Sequence, residues 1–118
     1  MGQDIFREAL MDYWDGRCPL TGISDPALLR ASHIVRWADC NGDAERLDVH
    51  NCLLLSALWD AAFDAGRVSF SDRGEVLVHP EMLAKDHRVL IKGAEPLLHR
   101  LMPKHAVYLA KHRARFQF

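Results

Sequence analysis

The stretch HNCLLLSALWDAAFD, residues 50–64, is apolar enough for burial, yet it sets Asp60 and Asp64 one helical turn apart. At i and i+4 the two carboxylates share a helix face, and one cation can be reached by both. Upstream, His33 lies inside the apolar run ALLRASHIVRW. An imidazole with an ordinary pKa near ~6.5 takes up a proton readily at neutral pH. Asn51 stands between His50 and a second apolar run. Each residue also has a plainer reading. A histidine in a strand is usually structural, and six others are present. Asp60 can simply face solvent. Asp64, just before Ala65 and Gly66, can bond a backbone N–H at a helix end, where an unpaired acid is unfavourable.

These side chains need elements to hold them. A helix is expected over residues 4–14, where Ile5, Phe6, Ala9, Leu10 and Tyr13 form an apolar stripe and Gly16 closes it. The turn-rich CPLTGISDP follows, and ALLRASHIVRW reads as a strand. ADCNGDAERLD reads as a polar loop with an Asn-Gly turn. Residues 52–55 are expected to form a second strand, antiparallel to residues 31–35. Ser56 then caps a helix over 57–64, which Gly66 stops. RVSFSDRGEVLVH has the alternation of a β-hairpin around Asp72-Arg73-Gly74. HPEMLAKD suggests a short helix with Pro80 in its first turn. Pro96 and Pro103 are expected to break the remainder, ending in a helix over 104–115. The class is α+β.

A chain of 118 residues holds one core, and 49 % hydrophobic with 26 % charged residues is globular composition. No apolar run approaches the roughly 18 residues of a membrane span. The acidic, amphipathic N-terminus is not expected to be a signal or a transit peptide. Cys18, Cys40 and Cys52 form no C-x-x-C pair, so reduced thiols and a cytoplasmic setting are expected. The net charge of −1 conceals a gradient: residues 1–64 carry five basic and eleven acidic residues, residues 85–118 eight basic and two acidic. A basic C-terminal end suits a polyanion, and charge alone does not separate that from a solvated helix face.

Taken in order, RCPLTG, LLRASHIVRW, ERLDVHNCLLLSALWDAAFDAGRVSF and YLAKHRARF resemble the HNH endonucleases, in the branch associated with bacterial restriction enzymes. The resemblance implies a single HNH nuclease domain over 1–118. Its ββα-metal (His-Me finger) core would span approximately 28–66, with an N-terminal helix, an additional β-hairpin and C-terminal helices around it. It implies that His33 is the general base and that Asn51 supports the loop and orients that histidine. Asp60 falls where the family's last histidine usually binds metal, Asp64 where some members place a second helical ligand, and Ser32 where many have an acidic or histidine ligand. Such an all-oxygen set favours Mg²⁺ or Mn²⁺. A structural zinc is not expected, since Thr21 occupies one of its cysteine positions. Arg30, Arg36, Lys104, Lys111, Arg113 and Arg115 would hold phosphates of DNA, double-stranded by expectation.

The implied activity is metal-dependent hydrolysis of DNA phosphodiester bonds in a bacterial or phage-encoded restriction or defence system, with target recognition in a separate domain or subunit. Two other readings stand beside it. A degenerate HNH fold would bind DNA without cutting, as Ser32 and Asp60 in place of stronger ligands suggest. A protein-interaction domain would use the acidic N-terminal half. Trp14, Trp37 and Trp59 are expected as core or lid aromatics, and Cys18 and Cys52 as small buried hydrophobes.

Overall fold

The computed structural model describes residues 2–95 and 98–118 of the chain. Helix α1 (Gly2–Tyr13) comes first. Strands β1 (Leu29–His33) and β2 (Cys52–Ser56) pair antiparallel, with Leu29 opposite Ser56 and His33 opposite Cys52. The connection between them contains the single-turn α2 (Asp43–Arg46) and two 3₁₀ turns, Trp37–Asp39 and Val49–Asn51. Helix α3 (Ala57–Asp64) follows β2 directly. A second antiparallel pair, β3 (Val68–Phe70) and β4 (Val76–Val78), is followed by α4 (Ala84–Ile91) and α5 (Pro103–Phe116). This is the expected α+β arrangement.

The apolar run of β2 is continuous because both its faces are covered. All five β2 residues are buried, whereas β1 mixes buried and exposed positions. Successive strand residues point to opposite faces. Phe6 of α1 meets His33 on one face, and Asp60 of α3 meets Ser32 on the other. The first hairpin therefore lies between α1 and α3. Phe6, Leu10 and Trp14, spaced by four, bury the inner stripe of α1 and the residue just past its end.

The strand expected over 27–37 is shorter at both ends. At its start, the Asp25 carboxylate accepts the Ala27 N–H and caps a 3₁₀ turn over Pro26–Leu28. Beyond His33, the Ile34 and Val35 amides turn to Asn51 instead, which ends the ladder. The polar loop over 38–48 is partly helical. Ser56 occupies the N-cap of α3, without a side-chain cap bond. The helix expected in HPEMLAKD begins only at Ala84. Met82 N–H bonds to His79 O and Glu81 N–H to His79 Nδ1, so Pro80 sits in a separate turn. Pro103 opens α5, one residue ahead of the helix expected over 104–115. Pro96 lies outside the described residues.

Gly66 ends α3 with φ +70°, and a Cβ there would lie 2.1 Å from the Phe116 ring. α5 is bound to the body by its own polar groups. His112 is buried, donates Nε2–H to the Phe63 carbonyl (2.9 Å) and accepts the Ser69 hydroxyl at Nδ1 (2.8 Å). Among the described residues no helix is long and apolar enough to cross a membrane, and Cys18, Cys40 and Cys52 are free thiols, all buried.

Candidate active site

His33 is the last residue of β1, half-buried, and its ring is held on several sides. Its Nε2 lies 2.7 Å from the Arg46 carbonyl oxygen. A carbonyl only accepts, so Nε2 carries the proton, and in the neutral ring the lone pair is on Nδ1. Phe6 stacks on the imidazole at 5.6 Å between centroids, and Trp37 meets it edge-on at 5.6 Å. Arg46 is fixed in turn: its Nε donates to the Trp37 carbonyl (3.1 Å), and its guanidinium lies over the Trp37 ring.

Asn51 is fully buried and does not touch His33. Its Oδ1 accepts the Val35 N–H at 2.8 Å, and its Nδ2 donates to the Glu45 carbonyl at 3.2 Å and, at 3.4 Å each, to Val35 O and Cys40 Sγ. Its own carbonyl accepts the Ile34 N–H at 3.0 Å. Asn51 thus clamps the two ends of the loop, the residues after His33 and the turn whose next carbonyl, Arg46, fixes the imidazole. Orientation of His33 by Asn51 runs through backbone, not through a side-chain contact.

On the opposite face the Ser32 hydroxyl donates to Asp60 Oδ1. Burial, and then the Asp60 charge, push the Cys52 thiol up. Cys52 is the cross-strand partner of His33. Asp64 is exposed at the last position of α3, one turn beyond Asp60. Ser32, Asp60 and Asp64 offer oxygen donors only. Among the described residues no group of three or more His, Cys, Asp or Glu side chains could hold a metal ion. Two carboxylates with a hydroxyl suit a hard cation that keeps waters and takes a substrate phosphate as ligand, as Mg²⁺ does.

The six basic residues separate into two groups. Arg36, Lys111 and Arg115 line one groove of about 240 Å³ together with Ile34 and Val35, directly after His33. Arg36 is ion-paired with Asp39 (3.0 Å), and both are exposed. Arg113 is turned inward, donating to the Phe70 carbonyl and to Asp72 at 2.8 Å each. Arg30 donates to the Ala27 and Leu29 carbonyls at 3.0 Å. Lys104 is exposed in the first turn of α5, away from that groove.

A polar cluster ties α5 to the turn that carries Asn51. Asp48 accepts the His50 N–H, the His50 imidazole and the Tyr108 hydroxyl. Burial opposes ionisation of Asp48, yet these donors hold its carboxyl below the usual range. Burial and the Asp48 bond push Tyr108 up to about 12. His105, fully buried against His50, is pulled down to about 4 by burial and then by its neighbour's charge.

The sequence reading missed Arg46 and Phe6. Arg46 acts through its carbonyl, which no residue type announces. Phe6 carried only the signature of a core aromatic. Residues 18–71 match the family model for HNH endonuclease. No curated protein matches the chain. That segment contains β1, the clamped loop, β2, α3 and β3, and with them His33, Asn51 and Asp60, and over it the chain is similar to the HNH endonuclease family.

Proposed function

We propose that this protein is a metal-dependent endonuclease that hydrolyses phosphodiester bonds of double-stranded DNA, with His33 as general base. The observation that carries the reading is the Nε2–H bond from His33 to the Arg46 carbonyl, which leaves Nδ1 as the proton acceptor. Nδ1 would take the proton from the attacking water, and Arg46 O with the Asn51 clamp would hold the ring in that tautomer and direction. Ser32, Asp60 and Asp64 would hold Mg²⁺ or Mn²⁺. That cation would supply charge neutralisation on the scissile phosphate and the departing oxygen. Arg36, Lys111 and Arg115 would steady flanking phosphates along their shared groove. The resemblance to restriction-associated members supports a role in defence.

The test is nicking of supercoiled plasmid. Cleavage is expected with Mg²⁺ or Mn²⁺ and none in chelator. His33→Ala should lose about 10²–10⁴-fold in rate with nearly unchanged DNA affinity, because the base acts in the transition state. Asp60→Ala should be partly rescued by added metal. His33→Ala cutting like the parent would remove the base assignment. The sparse ligand set favours one alternative, a fold that binds DNA without cutting. A parent that never nicks, yet shifts DNA with an affinity that falls steeply with salt, would establish it.

A further inference from the structure

The matched segment supplies Arg46 and Trp37 around His33, but the remaining wall comes from outside it. Phe6, on α1, lies face to face with the imidazole, with planes inclined by 23°. A hydrogen bond at Nε2 fixes one point on the ring's edge and leaves rotation about the bond axis free. A flat ring packed on the imidazole face removes that rotation. Trp37 cannot do this as firmly: it meets the ring at 81° and is 41 % exposed. Phe6 is only 8 % exposed. It is held by its helix, through buried Leu10 one turn on and through Arg7, whose Nη2 donates to the Pro26 carbonyl at 3.2 Å just before β1.

We propose that Phe6 is a positioning residue for the cleavage reaction, acting through His33. It sets the plane of the imidazole, so that the Nδ1 lone pair keeps one direction, and it keeps water off that face. α1 is then part of the active site, although it lies outside the family segment. The inference rests on the nuclease reading above.

The test uses the full chain with Phe6→Leu, which keeps apolar bulk and removes the ring, and Phe6→Tyr, which keeps the ring. Ile5→Ala changes an exposed residue of the same helix without touching the core and serves as the comparison. Two readouts are taken at a temperature where all variants are folded. The first is the NMR position of the His33 ring protons, identified through His33→Ala, since a stacked ring displaces them by its ring current. The second is plasmid nicking with Mg²⁺. Phe6→Leu should move the His33 resonances and lower kcat about tenfold with KM within about twofold, the signature of a misdirected base. Phe6→Tyr should restore both, and Ile5→Ala should keep the parent kcat. Unmoved resonances in Phe6→Leu overturn the role, as does an Ile5→Ala loss equal to that of Phe6→Leu. A nicking parent with Phe6→Leu at full kcat overturns this role alone. A parent that nicks no DNA overturns the nuclease reading and this role together.

Discussion

Replacing Asn51 by alanine tests the clamp most directly, because stability and function should fail together. The side chain is fully buried and makes two good hydrogen bonds, from Val35 N–H at 2.8 Å and to Glu45 O at 3.2 Å, besides two weaker contacts at 3.4 Å. Each good bond contributes about 1 kcal/mol net, and stranding their partners in a partly solvated loop adds about 1–2 kcal/mol in all. The expected loss is about 3–4 kcal/mol, a large part of the roughly 5–15 kcal/mol of a domain this size. With a urea dependence of about 2 kcal/mol per molar, the unfolding midpoint should fall by about 1.5–2 M at unchanged slope. The loop that carries Arg46 O should also loosen, so nicking should fall further than the folded fraction explains. His33→Ala, which removes one bond from a half-buried ring, should lose much less stability. An Asn51→Ala midpoint within about 0.5 M of the parent, with nicking intact, would refute the clamp.

Acid should destabilise the protein through its buried histidines. His105 is pulled down to about 4, and burial lowers His112 as well, so below the ordinary value of 6.5 the unfolded chain binds protons that the folded one refuses. Stability should be level above about pH 6.5 and fall by about 1.4 kcal/mol per pH unit towards pH 4 for His105 alone; urea midpoints across that range check it, and His105→Gln should flatten the slope. Gly66→Ala forces a side chain into a left-handed backbone and against Phe116, and should lose about 2–4 kcal/mol in thermal or urea unfolding. Arg113→Ala should lower stability by freeing Phe70 O and Asp72, whereas Lys111→Ala should leave stability alone and reduce the salt dependence of DNA binding by about one charge; unfolding curves and salt-titrated gel shifts on both variants separate the two roles.

The sequence by itself determined the local elements and the order of the reactive groups. The apolar runs around Ser32 and Leu53, the cap position at Ser56 and the stop at Gly66 specify strand, strand and helix through interactions a few residues long. The order of His33, Asn51 and Asp60 pointed to the family whose model matches residues 18–71, and the i, i+4 relation of Asp60 and Asp64 placed both acids on one helix. Tertiary structure decided what those groups touch. Whether Arg113 faces a phosphate or the Phe70 carbonyl depends on how α5 lies across β3, a contact spanning 43 residues of chain. The tautomer of His33 is set by a backbone carbonyl, and every residue has one, so no pattern of residue types could single out Arg46. Phe6 has the spacing of any core aromatic, and only the packing of α1 over the hairpin turns its ring onto the imidazole. Local propensity is written in neighbouring residues, but the direction of the His33 ring is fixed by groups that meet only when the chain has folded.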